Sequence, residues 1–361
     1  MDDPVIPDRP IKGRGAVSNP TGRFEPATRQ RTDDGWARPE DDDLPAPQTT
    51  VKIDATRTIL ARNESPDVGF DRSINAYRGC EHGCVYCFAR PTHAYFGLSS
   101  GLDFETKIFI KPEAARLLDG ELRKKSYVPA PIAMGTNTDP YQPLEREHRI
   151  TRGVLEVLRA FRHPFTIITK NHLVTRDLDI LGPMGKDNLC RVGLSVTTLD
   201  RDLARKMEPR ASTPSRRIEA IRMLAEAGVP AGVMAAPMIP ALNDSELEKI
   251  LETAAEAGAS WASHTVLRLP HEIKDLMREW LEAHAPLKAN HVLSLVREMR
   301  GGKLNDPHFG ARMRGEGAYA EALSLRARLA KKRYGLDREL APLDCAQFKP
   351  PSRAGDQLSL L

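Results

Sequence analysis

The sequence predicts an α/β protein built from six strand–helix units in series and followed by a helical extension. The chain has 361 residues, enough for one large domain or two ordinary ones, and 40% of them are apolar. Short apolar runs alternate with amphipathic stretches between about residues 70 and 285. This alternation predicts a parallel sheet with right-handed crossovers, either an incomplete barrel or a doubly wound sheet.

The strand candidates are short runs rich in β-branched or other apolar residues, and most are followed by turn residues. They lie at residues 73–77, 131–135, 165–169, 191–197, 231–236 and 264–269. In both architectures the active-site residues lie at the carboxyl ends of the parallel strands. The residues that follow these runs are therefore the first candidates for a functional site.

Two of the intervening helices have recognisable ends. Thr213 followed by Pro214 is typical of a helix start, and Gly228 stands where that helix would end. Ser245 and Glu248 have the spacing of a capping box, which predicts that a second helix begins there.

Composition divides the chain into four regions. Residues 1–50 hold eight of the 28 prolines and show no hydrophobic periodicity, which predicts a disordered or extended arm, although the segment 13–25 could instead dock onto the body. Residues 51–285 form the predicted core domain. We expect a basic helical extension over 286–335 and an irregular tail over 336–361.

Charge and hydropathy bear on two functional classes, nucleic-acid binders and membrane proteins. The 53 basic and 49 acidic residues give a net charge of +4, which does not by itself mark a nucleic-acid binder. Residues 288–335, however, carry eleven Lys or Arg against four Asp or Glu, a net charge of +7. The longest largely apolar stretch, 231–242, contains two prolines and is shorter than the roughly 20 residues of a membrane span. Since no signal-peptide pattern is found, we expect a cytoplasmic protein that is not bound to a membrane.

Three of the five cysteines lie within eight residues, at Cys80, Cys84 and Cys87. In a reducing compartment this C-x3-C-x2-C spacing favours a metal site over a disulfide framework. The cluster follows the first strand candidate, and Gly79 and Gly83 allow the tight turns that a metal-binding loop needs. Three thiolates can hold three irons of a [4Fe–4S] cluster and leave the fourth iron open to a substrate or cofactor.

Zinc is the main competing ligand for the three thiols. A structural zinc ion takes four ligands, and His82 or His93 could supply the fourth. Against zinc, C-x3-C is unusual in zinc knuckles and no second CxxC pair is present. The spacing therefore favours iron–sulfur over zinc, and either metal over a metal-free loop.

Three strings carry a resemblance to a known family: N-x-Y-x-G-C-x-H-G-C-x-Y-C-F-A-R at residues 75–90, G-T-N-T-D-P-Y-Q-P-x-E at 135–145 and R-G-G-K-L-N-D at 300–306. They resemble the radical S-adenosylmethionine (radical SAM) superfamily, and within it the branch around spore photoproduct lyase, whose members are often described as DNA-repair-photolyase-like. The resemblance covers about residues 50–335. It implies a partial (βα)6 TIM-like barrel as the radical SAM core.

The resemblance also implies a mechanism. A [4Fe–4S] cluster on Cys80, Cys84 and Cys87 would chelate S-adenosylmethionine through its open iron. Reduction by a one-electron donor of the flavodoxin or ferredoxin type would then cleave a carbon–sulfur bond. The resulting 5′-deoxyadenosyl radical would abstract a hydrogen atom from the substrate. The protein's part would be to orient the cofactor and to exclude water.

The same resemblance implies cofactor-binding residues. Tyr86 would stack against adenine, with ordinary packing of the loop as the alternative. Gly135 and Thr136 end the second strand, where the superfamily often has Gly-Gly-Glu for the cofactor's amino group. The chain departs from that pattern, so the contact there would come from a hydroxyl, of Thr136 or Thr138, or from a backbone carbonyl.

Further along, Lys170 and Ser195 match a lysine and a serine that contact the carboxylate or ribose of the cofactor in the spore photoproduct lyase branch. Thr197 is an alternative ribose contact. Ile239 lies in a stretch that matches the apolar cover of adenine. The alternatives are a solvated strand end for Lys170 and a core strand end for Ile239.

The resemblance suggests a nucleic-acid substrate, and the basic extension supports it. Spore photoproduct lyase, however, uses a cysteine between its cluster and the middle of its barrel as hydrogen donor, whereas this chain has no cysteine between Cys87 and Cys190. We therefore do not expect its DNA-repair lyase reaction unchanged, and the catalytic residue stays unassigned. The alternatives are a radical SAM enzyme acting on a peptide or small metabolite and a non-catalytic, zinc-stabilised nucleic-acid-binding protein.

Overall fold

The computed structural model describes residues 10–25 and 47–352. Its strands are β1 Thr50–Ile53, β2 Leu60–Arg62, β3 Arg72–Ile74, β4 Tyr77–Arg78, β5 Lys107–Ile110, β6 Ile132–Met134, β7 Phe165–Thr169, β8 Cys190–Ser195, β9 Ala231–Met238 and β10 Trp261–Val266. Its α-helices are α1 Asp103–Thr106, α2 Ala114–Leu122, α3 Glu145–His148, α4 Ile150–Ala160, α5 Leu178–Lys186, α6 Arg201–Met207, α7 Pro214–Glu226, α8 Leu247–Glu256, α9 Ile273–His284, α10 Pro286–Glu298, α11 Ala311–Arg314 and α12 Gly317–Arg333.

The main sheet has seven strands in the order β10-β9-β8-β7-β6-β3-β2. The antiparallel strand β2 lies at one edge, and the other neighbours pair in parallel. Because the six parallel strands follow chain order without reversal, right-handed crossovers place their helices on one face of the sheet. In a doubly wound sheet the strand order reverses at one point. The strand order here has no such reversal, so the architecture is of the barrel type.

Each of the six predicted strands has a counterpart, although β3 already ends at Ile74 and β10 begins three residues earlier than predicted. The strands meet the helices in one apolar core. The buried side chains of the middle strands, among them Ile167, Val192 and Val233, pack in one cluster with those of the surrounding helices, such as Leu158 and Ile221. The edge strands β2 and β10 do not pair with each other in the described part of the chain. The barrel is therefore incomplete, as the sequence predicts.

One predicted helix end is right and the other is wrong. α7 begins at Pro214 with Thr213 as its N-cap residue, and Gly228 follows its end with a positive φ of 83°. The capping box predicted from Ser245 and Glu248 is not formed. A short 3-10 turn covers Asp244–Glu246, and α8 begins only at Leu247 without a side-chain cap.

A second, three-stranded sheet was not predicted from the sequence. β5 lies between β1, which is parallel to it, and β4, which is antiparallel to it. All four residues of β1 are exposed and β4 has only two residues, so neither gives a periodic hydrophobic signal. This sheet leads the chain from the barrel into the cysteine loop.

The prediction of a disordered or extended arm over residues 1–50 needs a correction for residues 10–25. This N-terminal segment docks onto the body, with Ala16 and Val17 buried. Charged side chains of the core explain the docking, because Asp103 accepts from the Asn19 side chain at 3.0 Å and Glu272 pairs with Arg23 at 2.5 Å. Residues 1–9 and 26–46, also part of the predicted arm, lie outside the described residues.

The region predicted as a basic extension contains α10, α11 and α12, and α12 packs against α8. The described part of the predicted tail is irregular but packed, since Phe348 lies between the rings of Tyr127 and Phe161. The domain boundaries drawn from the sequence stay predictions. No helix within the described ranges combines the length and apolar character that a bilayer crossing requires.

Candidate functional site

The three clustered cysteines lie on one loop that follows β4. Gly79 and Gly83 turn this cysteine loop with φ angles of 79° and 67°, a backbone region that favours glycine. Cys80 and Cys84 are buried and Cys87 is half-buried. Cys87 packs in the same apolar clusters as the other two, so the fold brings the three thiols together.

A buried arginine holds the backbone of the cysteine loop. Arg90 donates from Nε to the Cys84 carbonyl at 2.7 Å and from Nη2 to the Gly83 carbonyl at 3.0 Å. Its charge is balanced by the buried Glu105, whose carboxylate lies 2.5 Å away. Glu105 in turn accepts from the Gly15 amide at 3.0 Å, so the docked N-terminal segment completes this support. Loop carbonyls that would otherwise lack partners are thereby satisfied.

Deprotonation of the buried thiols is unfavourable unless a positive charge lies beside them. Burial raises the pKa of Cys80 well above its usual value, and Asp139 and the two neighbouring cysteines raise it further. Burial likewise raises the pKa of Cys84 to about 12, although Lys170 acts in the opposite direction. Thiolates at this place therefore need a compensating positive charge, which bound iron supplies. Three sulfur donors on one buried loop fit a [4Fe–4S] cluster.

The two histidines predicted as a fourth zinc ligand differ in what they have free. His82 accepts from the Asn171 side-chain amide at Nε2, 3.1 Å away, and its Nδ1 lies 3.3 Å from an Asp139 oxygen. Both ring nitrogens are thus engaged. His93 contacts the Lys107 carbonyl through Nε2 at 3.0 Å, and burial lowers its pKa to about 4. Its Nδ1 is buried without a hydrogen-bond partner among the described residues. Within the described ranges no three His, Cys, Asp or Glu side chains, the three cysteines included, are grouped as for one metal ion. A [4Fe–4S] cluster, in which each thiolate binds a different iron, does not need such a group.

Asp139 links the cysteine loop to the ends of two strands. It accepts from the Thr169 hydroxyl at 2.6 Å and from the Lys170 amide at 2.9 Å, and it faces His82. Burial alone would raise the pKa of Asp139, but His82 and the hydrogen bonds lower it to about 2. Sequence reasoning assigned Asp139 no role of its own, because its partners lie on other elements.

The structure brings together Lys170, Ser195 and Tyr86, which were predicted as cofactor contacts. Lys170 Nζ lies 3.1 Å from Ser195 Oγ and 5.7 Å from the centre of the Tyr86 ring. Burial would lower the pKa of Lys170, but Cys84 and Glu208 raise it above its ordinary value. A charged ammonium group therefore stands between the cysteine loop and the end of β8, where it can receive a carboxylate.

Close to Lys170 lies a buried ion pair that sequence reasoning missed. Glu208 and Arg217 form a salt bridge with both side chains fully buried, and Glu208 also accepts from the hydroxyls of Thr197, at 2.6 Å, and Tyr86. Arg217 donates to the Ser195 carbonyl at 2.9 Å. The one available signal was weak: Glu208 directly follows α6 as its C-cap residue, where a negative charge is unfavourable for the helix dipole.

This hydrogen-bond network occupies the hydroxyl groups of Tyr86 and Thr197, two residues predicted to contact the cofactor. The Tyr86 hydroxyl is committed to Glu208 and Thr197, and its side chain is buried. The Thr197 hydroxyl, an alternative ribose contact, is held by Glu208. Stacking of the Tyr86 ring on adenine stays a prediction.

The other predicted contacts lie at the ends of β6 and β9. Gly135 has a φ of 92°, and a side-chain carbon there would lie 2.1 Å from the Ile168 carbonyl oxygen. The Thr136 hydroxyl is hydrogen-bonded to the Asn75 side chain at 3.0 Å, and Thr138 donates to the Gly79 carbonyl at 2.6 Å.

Ile239 is buried in the same apolar cluster as Cys84 and Tyr86. Its backbone amide donates to Asn243 Oδ1 at 2.6 Å, which fixes the turn after β9. This position is consistent with an apolar wall beside the cysteine loop, and its role as a cover for adenine stays a prediction.

Comparison with known sequences finds relatives without an assigned activity. An uncharacterized protein of Mycobacterium tuberculosis is 36% identical over 237 residues, which cover 64% of this chain and 70% of that protein. An uncharacterized protein of Methanocaldococcus jannaschii is 29% identical over 196 residues, which cover 54% of this chain and 70% of the relative.

Comparison with solved structures finds spore photoproduct lyase. One mutant structure matches with a TM-score of 0.56 and 16% identity over 79% of each chain. Another mutant, with bound AdoMet and dinucleoside spore photoproduct, matches with a TM-score of 0.55 at 16% identity over 79% of this chain and 78% of that chain. At this identity the likeness shows a common fold.

The sequence profile of the radical SAM superfamily matches residues 74–254, half of the chain, and the match includes the cysteine loop and the strands that surround it. Enzymes of this family use a [4Fe–4S] cluster and S-adenosylmethionine. The chain therefore belongs to the radical SAM superfamily.

Proposed function

We propose that this protein binds a [4Fe–4S] cluster through Cys80, Cys84 and Cys87 and cleaves S-adenosylmethionine reductively to start a radical reaction. The observation that carries the proposal is the placing of three thiols on one buried loop, supported by Arg90, at the mouth of a radical SAM barrel. When bound, the two cofactors supply a 5′-deoxyadenosyl radical that abstracts hydrogen from the substrate. A one-electron donor of the flavodoxin or ferredoxin type would supply the reducing equivalent.

The chain's own residues would bind and orient the cofactor. Lys170 would receive the carboxylate of S-adenosylmethionine, because it is a charged group beside Cys84 whose position is fixed by Ser195. Gly135 and Thr136 would present a backbone carbonyl or a hydroxyl to the amino group. Ile239 and Tyr86 would exclude water from the adenine side of the cysteine loop.

We further propose that the substrate is a nucleic acid. Structures of spore photoproduct lyase, the fold match, include one with a dinucleoside spore photoproduct. In this chain, residues 288–335 carry a net charge of +7, which favours a polyanion. The hydrogen donor of spore photoproduct lyase, a cysteine early in the barrel, has no counterpart here. The next cysteine after Cys87 is Cys190, which is buried at the start of β8. The donor would therefore be a different group.

The cleavage reaction is tested by replacing each cluster cysteine. After anaerobic reconstitution and reduction, Cys80→Ala, Cys84→Ala and Cys87→Ala should each lose 5′-deoxyadenosine formation by at least about a hundredfold, because the cluster loses a ligand. Cys190→Ala is the control and should keep most of the activity, since Cys190 only packs in the core and donates to the Leu181 carbonyl at 3.4 Å.

Two results would contradict the proposal. Equal losses in all four cysteine variants would mean that the cluster is misassigned. A colourless protein with one bound zinc ion and no cleavage of S-adenosylmethionine would favour a zinc-stabilised binding protein instead. Deuterium transfer from labelled candidates into 5′-deoxyadenosine would separate a nucleic-acid substrate from a peptide or small metabolite.

A further inference from the structure

Arg268 is a half-buried arginine whose donors are poorly satisfied. It lies two residues beyond β10, at the carboxyl end of the last barrel strand. Its Nη1 contacts the thioether sulfur of Met313 at 3.2 Å, and its Nε is buried without a partner among the described residues. A thioether is a weak acceptor. A guanidinium group presents five donors suited to the paired oxygens of a carboxylate or phosphate, so this one lacks the partner it fits best.

The surroundings of Arg268 leave its positive charge largely unbalanced. Burial lowers the pKa of Arg268, and the nearby Arg312 and Arg300 lower it further, whereas only Asp67 acts in the opposite direction. Asp67 is already bonded to the Arg312 side chain and, at 2.6 Å, to the Gly310 amide. The carboxylate that acts on Arg268 among the described residues is therefore engaged elsewhere.

Arg268 is held in place by the extension. Arg300, which is buried, donates to the carbonyl of Leu267 at 3.0 Å and to that of Ala311 at 2.7 Å. These residues directly precede Arg268 and Arg312. The Arg300 side chain thus joins the end of the barrel to α11 and brings two cationic side chains to one place.

This place adjoins the cysteine loop. The Arg268 guanidinium lies 5.9 Å from the centre of the Phe88 ring, and Phe88 directly follows Cys87. The Phe88 side chain is 51% exposed, although it is next to a cluster ligand. An exposed aromatic ring beside an unpaired arginine is a combination that single-stranded nucleic-acid binders use, with the ring stacking on a base and the arginine on the backbone.

We propose that Arg268 binds a backbone phosphate of a nucleic-acid substrate and that Phe88 stacks on an adjacent base, so that the nucleotide is held beside the cysteine loop. This inference rests on the proposed function and adds the residues that recognise its substrate. Arg300 is a positioning residue for Arg268. The site selects a nucleotide, because the cation fits the phosphate and the flat apolar ring fits the base.

The test is the binding of a fluorescein-labelled, single-stranded oligodeoxynucleotide of mixed sequence to the full-length, cluster-containing protein at several salt concentrations. Arg268→Gln should weaken binding by about tenfold and make the slope of log K against log salt shallower by about 0.7, because one phosphate contact is lost. Phe88→Leu should weaken binding by about fivefold or more and leave the slope unchanged, because stacking releases no counterions.

Two further variants make the comparison specific. Arg268→Lys keeps the charge but loses the paired donors, so it should weaken binding and keep the salt slope of the wild type. Arg116→Gln removes an arginine of α2 whose side chain is 72% exposed, and it should change neither quantity. An unchanged unfolding midpoint and iron content would show that each variant is folded.

The proposal is overturned if Arg268→Gln and Arg116→Gln bind the oligonucleotide equally. It is also overturned if an oligoaspartate peptide displaces the probe at a lower concentration than unlabelled oligonucleotide does. Cleavage of S-adenosylmethionine by the reduced wild type, measured without oligonucleotide, is a separate readout. Its absence would refute the proposed function, whereas its presence with unaltered binding by Arg268→Gln would refute the phosphate site alone.

Discussion

Glu208 keeps a negative charge in the protein interior because donors surround it. The Thr197 and Tyr86 hydroxyls and the Arg217 guanidinium all point to its carboxylate. Burial would raise the pKa of Glu208, but Arg217 and Lys170 outweigh burial and lower it from 4.5 to about 2. A carboxyl group whose pKa is lowered by folding stabilises the fold above its unfolded pKa. This stabilisation is lost as the pH falls from 4.5 towards 2.

We therefore predict that Glu208→Gln lowers the free energy of unfolding by about 3–5 kcal/mol at neutral pH, because it leaves the buried charge of Arg217 without its partner. Urea unfolding gives this difference. Between pH 4.5 and pH 2 the stability of the wild type should fall more steeply than that of the variant.

The matched control is Glu219→Gln, which removes the partner of Arg216 from a largely exposed pair on α7. An exposed ion pair contributes little, so this variant should differ from the wild type by at most about 0.5–1 kcal/mol. Similar losses in both variants, or a difference for Glu208→Gln that does not change with pH, would contradict the role assigned to the buried pair.

The docked N-terminal segment and the cysteine loop touch through their backbones. A side-chain carbon on Gly15 would lie 1.7 Å from the carbonyl oxygen of Gly83, a distance that no rotamer change can relieve. The Gly15 amide also donates to Glu105, which balances Arg90. The segment is thus one of the elements that fix the cysteine loop.

Gly15→Ala should release the N-terminal segment and loosen the cysteine loop. We expect faster tryptic cleavage after Arg14 and Arg23 and a lower iron content after anaerobic reconstitution, because the loop loses part of its support. Gly120→Ala is the control: its site in α2 is open, and alanine there should stabilise the helix by about 0.5–1 kcal/mol. Equal proteolysis and iron content in the two variants would show that the segment does not support the loop.

Sequence reasoning succeeds for elements whose signal is local. β7 has the predicted bounds, because Phe165–Thr169 is a continuous run of β-formers. The cysteine spacing is equally local. The capping box fails because Glu248 uses its carboxylate on α12, where it accepts from Nε and Nη2 of Arg326 at 2.7 Å each.

The parts of the site that escaped prediction depend on contacts between distant elements. Glu105 lies fifteen residues after Arg90 and joins it to the N-terminal segment. Glu208 is separated from Tyr86 by 122 positions in the chain. No spacing rule links such residues, because the fold alone decides which of many charged side chains meet in the interior.

Across the whole molecule, the C-terminal extension is attached in two different ways. α12 packs against α8 through apolar residues, with Leu323, Ala327 and Ala330 buried. α11 has no buried residue and is held by polar contacts instead. Asp67, in the connection between β2 and β3, bonds the Gly310 amide at 2.6 Å and the Arg312 side chain. The segment that carries Arg312 is thus held by Asp67 and Ser65 from the opposite edge of the main sheet, in addition to the hydrogen bond from Arg300 to the Ala311 carbonyl.

Asp67→Ala should therefore loosen α11 while α12 stays in place. Hydrogen exchange of residues 305–315 should become faster, because the Gly310 amide loses its acceptor and the Arg312 guanidinium keeps only the Ser65 hydroxyl of its two partners on this connection. Exchange within 319–330 serves as the internal control and should not change, since apolar packing and the Arg326–Glu248 ion pair hold that helix without Asp67. Exchange that rises equally in both segments would mean that the extension moves as one unit, and exchange that rises in neither would mean that Asp67 does not anchor it.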